Sequence, residues 1–179
     1  MRVLHLKALC AAIILLTVTV CVVSCDAFDA RVKLDKAFTA NVEGEIDGRK
    51  ISARVYCDPT EHITKEIYVR LSVSMLTPAS LQGVTLTLRS DGKASIRLGQ
   101  NTVEGANIDG LLAPFLAIFP DGEYSSVEKN DGGFLATWRR GSDAVTLSFD
   151  KDMVPKSAEG CVGGRIFSLN ITDFCEKDK

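Results

Sequence analysis

Histidine is almost missing from this chain: His5 and His62 are the only two among 179 residues. An imidazole base beside a Ser or Cys nucleophile would have to be His62, since His5 lies in the apolar front end. His62 sits in "YCDPTEHITKE", a Pro-containing polar connection where an exposed loop histidine is the ordinary expectation. Cys57, Asp58, Glu61 and His62 fall close together, but structural zinc takes paired Cys or His ligands and this stretch has one of each. No metal and no cofactor is expected. Basic runs are missing too, so nucleic acid finds no electrostatic footprint. Neither Asp131-Gly132-Gly133 nor Gly163-Gly164 opens a helix with a Lys-Ser/Thr partner, so neither is a phosphate loop. The carboxylate pairs Asp150/Asp152 and Asp121/Glu123 flank turns, and glycoside hydrolysis needs carboxylates that converge in a cleft. These scarcities point away from an enzyme.

Acidic residues are absent from positions 1–25. Arg2 and Lys7 make a short positive start, and Ala8 to Val23 is an almost unbroken apolar run. That is the layout of an export signal, and the run falls short of the roughly 20 residues that comfortably span a bilayer. Val22-Val23-Ser24-Cys25 resembles the bacterial lipobox, with Val22 where Leu is commoner. The resemblance implies that residues 1–24 are a lipoprotein signal peptide and that Cys25 is acylated, tying the protein to an extracytoplasmic bacterial membrane. Cleavage after Ala27 to give a secreted protein, or an uncleaved anchor, are the alternatives. Residues 25–35 read as a tether, and 36–175 as one domain. Without Arg2 and Lys7 the chain has 19 basic against 23 acidic residues, a net charge of −4.

Cysteine is too scarce for a disulfide framework. With Cys25 acylated, Cys57, Cys161 and Cys175 remain, enough for at most one bridge. Cys57 continues the apolar face of its strand, and Cys175 keeps the phase of Leu169 and Ile171. A Cys57–Cys175 disulfide forms if the first and last strands approach; buried unbonded thiols are the default. A two-residue turn at Gly163-Gly164 sets Cys161 opposite Ile166, on the other face from Cys175.

The body is rich in alternation of period two, the mark of half-buried strands. Phe38, Ala40, Val42 and Ile46 share one face, interrupted by Gly44, and Asp47-Gly48 offers a tight turn to Ile51, Ala53, Val55 and Cys57. Ile67, Val69, Leu71, Val73 and Met75 form the strongest strand. Val84, Leu86 and Leu88 pair through Asp91-Gly92 with Ala94, Ile96 and Leu98. The second half resumes with Tyr124–Lys129, then Phe134, Ala136 and Trp138, then Val145, Leu147 and Phe149. A strand near 156–162 comes next, and Phe167, Leu169 and Ile171 finish. Trp138 is read as inward-facing core; a recognition edge with Arg139 and Arg140 is the alternative. Nine or ten strands with short connections predict an antiparallel meander rather than βαβ units. Asn170-Ile171-Thr172 is a formal sequon, but it lies inside a predicted strand.

Between 106 and 120, "ANIDGLLAPFLAIFP" breaks the alternation. Asp109 is placed to cap a helix, with Pro114 in its first turn or kinking it. Such an apolar patch has to cover the sheet, either as a fixed helix or as a lid.

This order of elements, with "LQGVTLTLRSDGKASIRL", the central apolar helix and "VTLSFDKDMVPKSAEG…GGRIFSLNITDF", resembles the LolA/LolB superfamily of lipoprotein carriers and related mycobacterial lipoproteins and RseB-type domains. The resemblance spans residues 34–175 and lies in turns and alternation; no family motif maps onto individual residues. It implies a mainly β (α+β) fold, a curved, incomplete antiparallel barrel covered by a central helix, around a cavity for acyl chains. The expected function is non-enzymatic binding of a lipid acyl chain or other hydrophobic ligand, with a lipid or lipoprotein as partner besides the membrane. Val69, Leu71, Val73, Leu86, Leu88, Leu111, Leu112, Phe115 and Leu116 are the candidate cavity residues, each equally explained as core. The rival expectation is an envelope interaction module whose interior is filled by its own side chains.

Overall fold

A computed structural model describes residues 36–59, 66–105, 108–118 and 124–177. Cys25, His62, the signal and the tether lie outside them, as do Asp121 and Glu123. The chain builds β1 (Phe38–Ile46), β2 (Arg49–Cys57), β3 (Val69–Thr77), β4 (Val84–Arg89), β5 (Ala94–Leu98) and β6 (Asn101–Glu104). Then come helix α1 (Asp109–Ala117), β7 (Ser126–Asn130), β8 (Gly133–Arg140), β9 (Asp143–Asp150), β10 (Pro155–Val162) and β11 (Arg165–Glu176).

All eleven strands lie in one antiparallel sheet of order β6-β5-β4-β3-β2-β1-β11-β10-β9-β8-β7. The expected single meander is therefore two. β1 to β6 run outward in one direction, β7 to β11 return from the other, and the seam is the pairing of β1 with β11. The sheet stays open, with β6 and β7 as its edges, and the connection between those edges carries α1. The strand beyond the expected count is β6, whose four residues are all exposed and carry no alternation to read.

Alternation decides which face is buried. Phe38, Ala40 and Val42, then Ile51, Ala53, Val55 and Cys57, then Leu71, Val73 and Met75 all point into one core. Val145, Leu147 and Phe149 join them from β9, and Phe167, Leu169 and Ile171 from β11. Ala136 is buried with them, while Trp138 packs half-buried against that core. Ile67 precedes β3 and is 58% exposed, so the strongest predicted strand starts two residues late. The first hairpin turns at Asp47 and Gly48, with φ of 51° and 72°, the left-handed pair that a two-residue turn between twisted strands requires.

Helix α1 begins after Ile108, which occupies the cap position expected for Asp109. Ile108, Leu112, Phe115 and Ile118 form its buried stripe at spacings of four, three and three, and they sit in the same core as the sheet's inner face. Pro114 lies past the first turn and is fully buried; it has no N–H to give to the Gly110 carbonyl.

Cys57 and Cys175, which a bridge would join if the first and last strands approach, are not bonded to each other in this structure. Between β1 and β11 the register slips: Thr39 faces Cys175, but Asn41 faces Thr172, so β11 holds one extra residue there. Asp173, at φ 50°, marks the bulge. One extra residue inverts the faces beyond it. Phe174 consequently turns inward and stacks on Phe38 with ring centroids 5.1 Å apart, and Cys175 is turned out and exposed. Cys57 remains buried on the inner face, one strand beyond β1, and no disulfide joins the two. Cys161 does stand opposite Ile166, as the Gly163-Gly164 turn predicts.

Tyr124, at the entry to β7, packs against the core, and burial pushes its phenol pKa up to about 12. The unfolded chain loses this proton near the ordinary tyrosine value of 10.0. The neutral phenol thus stabilises the fold fully below that pH, and the contribution disappears as pH rises to about 12. A two-unit difference is worth about 2–3 kcal/mol. Tyr124→Phe should be markedly less sensitive than the parent to this rise, read by denaturant unfolding on either side of pH 10–12.

Candidate functional site

Cover, not alternation, determines where the inner face is open. Eleven strands at about 4.8 Å spacing measure roughly 50 Å along the sheet. A nine-residue helix is about 14 Å long. It packs on β10 and β11, so among the described residues much of the β2–β5 wing has no helical cover.

The result is a partly open groove of about 350 Å³ between α1 and that wing. Ile46 and Ile51 line it from the first hairpin, Met75 from β3, and Leu81 from a single 3-10 turn (Ala79–Leu81). Val84, Leu86 and Ile96 form its wall, and Gly110, Leu111 and Phe115 come from the helix. Two charged residues also line it, Arg49 and Arg165. Leu81 and Leu111 stay 41% and 47% exposed, so the opening itself is apolar.

Of the nine cavity residues expected from sequence, Leu86, Leu111 and Phe115 lie together on this groove. Leu71, Val73 and Leu112 are completely buried in the packed core and do not reach it. Leu88 is half-buried against the core, Val69 is 39% exposed at the start of β3, and Leu116 is exposed. The expectation concentrates on strand centres, which are packed; the open volume is at the strand ends beside the Asp47-Gly48 turn. Ile46, Ile51, Met75, Val84 and Ile96 are lining residues outside the expected set, although their inward phase is plain in the sequence.

The turns near the groove are built rigidly. Asp47 receives Ile166 N–H at 3.0 Å and the Arg165 guanidinium at 2.9 Å, and its own N–H donates to Ile166 C=O at 2.8 Å. This ties the β1–β2 hairpin to the β10–β11 hairpin. The Asp150/Asp152 pair is likewise a turn device. Burial pushes the Asp150 carboxyl upward, but N–H donors of Val154 and Asp152 and the Lys156 ammonium outweigh it and hold the group below the usual carboxylate range. Among the described residues no three His, Cys, Asp or Glu side chains cluster as metal ligands.

No protein-family model matches the chain, and no curated protein matches it by sequence. Solved structures do match its fold. An uncharacterized conserved protein from Thermus thermophilus is similar over 84% of this chain and 84% of its own, at 17% identity and a TM-score of 0.52. A LolA superfamily protein from Nitrosomonas europaea is similar more loosely, at 13% identity over 81% of this chain and 88% of its own, TM-score 0.41. Lipoprotein LppX from Mycobacterium tuberculosis has 17% identity over 86% of this chain and 93% of its own, TM-score 0.40. The likeness at these identities is one of fold.

Proposed function

We propose that this chain is a lipid-anchored protein of the bacterial envelope that holds the acyl chain of a lipid or lipoprotein, or another hydrophobic ligand, and performs no chemistry on it. The carrying observation is the apolar groove of about 350 Å³ between α1 and the β1–β5 wing. A permanently wetted groove of this kind is unfavourable, and each Å² of apolar surface removed from water by a guest contributes roughly 25 cal/mol. With signal 1–24 removed, acylated Cys25 and tether 25–35 would hold the domain, 36–175, at a membrane where such guests are found. α1 seals one side of the groove and is the element whose displacement admits a longer guest.

The test is native mass spectrometry on the full chain as the cell processes it, with metabolic labelling by an alkyne fatty acid. A co-purifying lipid and label lost in Cys25→Ala are expected. Repeated absence of any adduct overturns the ligand reading; label that survives Cys25→Ala overturns the anchor.

The second reading is an interaction module. Both sheet edges are unpaired among the described residues, and Val103 on β6 and Val127 on β7 are 61% and 40% exposed. An open edge offers backbone donors and acceptors to an added strand. An adduct-free chain that protects β7 amides from exchange only with an envelope partner would favour it.

A further inference from the structure

Two arginines occupy inward-facing positions at the end of the sheet. Arg49 shares the phase of Ile51, Ala53 and Val55, and Arg165 that of Phe167, Leu169 and Ile171, all of them core residues. Both line the groove, whose other side chains are apolar among the described residues. They flank the same residue of β1: Ile46 pairs with Arg49 on β2 and with Phe167 on β11, two positions from Arg165. With strands about 4.8 Å apart and about 3.4 Å per residue along them, their backbones stand roughly 12 Å apart across β1. Arg165 reaches to the start of α1, its Nε 3.8 Å from where a side chain on Gly110 would begin.

Their charge is only partly neutralised. Arg165 gives one guanidinium nitrogen to Asp47 at 2.9 Å, and among the described residues the further donors of its planar fork are unspent. The Arg49 side chain makes no ion pair or hydrogen bond among the described residues. The mouth thus holds two guanidinium groups against the Asp47 carboxylate, in a chain that is net acidic.

We infer that the groove takes an anionic amphipath, its carboxylate or phosphate headgroup held between Arg49 and Arg165 and its chain lying along Leu86, Ile96 and Phe115. The inference rests on the hydrophobic-ligand reading above and adds the sign of the headgroup. Guanidinium groups suit both oxyanions because their parallel N–H donors match two oxygens at once.

The experiment uses the full processed chain in neutral phosphatidylcholine nanodiscs, photolabelled with a dodecanoate bearing a terminal diazirine. Unlabelled dodecanoate, monododecyl phosphate, dodecanol and dodecylamine compete. Label is expected on peptides containing Leu86, Ile96 or Phe115. The two anions should displace it about tenfold or more better than dodecanol, and dodecylamine should be worst. The better of the two anions identifies the headgroup. Arg49→Gln, which leaves the Asp47–Arg165 pair intact, and the Arg49→Gln/Arg165→Gln double variant should lose the anion preference while dodecanol competes unchanged. Added salt should shrink the preference in the parent, since the mouth is exposed. Equal competition by dodecanol and dodecanoate overturns the headgroup assignment and leaves the groove reading standing. Label found nowhere on the groove overturns both.

Discussion

Gly44→Ala lowers the unfolding free energy by about 3 kcal/mol, the upper end of what overpacking ordinarily costs, and Gly44→Val leaves the chain unfolded. Gly44 lies in mid-β1, between Ile51 of β2 and Leu169 of β11. A Cβ there would overlap the Ser168 carbonyl oxygen and come 2.9 Å from Leu169 Cα. Those are backbone atoms of a strand pinned on its far side by β10, so no side chain can swing away to relieve the clash. The pairing at stake is also the seam that joins the two meanders into one sheet. Gly48→Ala is the control. Gly48 has φ of 72°, and a Cβ added there would have no atom within 4 Å, so its substitution costs only backbone conformation, about 1 kcal/mol. Denaturant unfolding of both variants measures the difference; equal costs would mean that close strand approach at Gly44 does not hold the seam.

The gap at Gly44 in an otherwise regular apolar phase is visible in the sequence, and most of the inner face is legible for the same reason. Period two has no alternative meaning in strands this long, so Phe38 to Val42, Ile51 to Cys57 and Val145 to Phe149 can be assigned to one side from residue type alone. Legibility stops wherever a neighbour, not the strand itself, sets the outcome. The bulge at Asp173 depends on how β11 meets β1, and nothing in "NITDFCE" marks an extra residue, so phase alone puts Cys175 on the wrong face. β6 is a strand because β5 offers it an edge, with no apolar pattern of its own. Arg49 and Arg165 escape a reading by residue type because charge marks a residue as outward, although their phase places them inward.

The position of the groove is hidden by the same logic. Inward phase identifies every residue that leaves water, but whether its neighbour is a core side chain or a void depends on where the cover lies. α1 is short and seats on β10 and β11, which puts the void on the opposite wing. A filled interior and a ligand-sized groove are thus both present, separated along the same strands: Leu71 and Val73 are packed, Met75 opens onto the groove.

Phe115 stands at that boundary, and its truncation separates packing of the core from lining of the groove. It is 2% exposed, belongs to the core, and lines the groove from the helix side. Phe115→Ala should cost about 3 kcal/mol, the low end for such a deletion, because a void that opens onto water or a guest is partly refilled. Leu112, one turn earlier and fully buried away from the groove, should cost as much or more in Leu112→Ala, where the cavity stays dry. Ligand length then distinguishes them. Removing the Phe115 ring extends the groove beneath α1, so the chain length that competes best for the site should increase by several methylenes. Leu112→Ala, with a comparable loss of stability, should leave that optimum unchanged. A parallel stability loss with the same optimum in both variants would mean that Phe115 only packs, and that the guest does not reach under the helix.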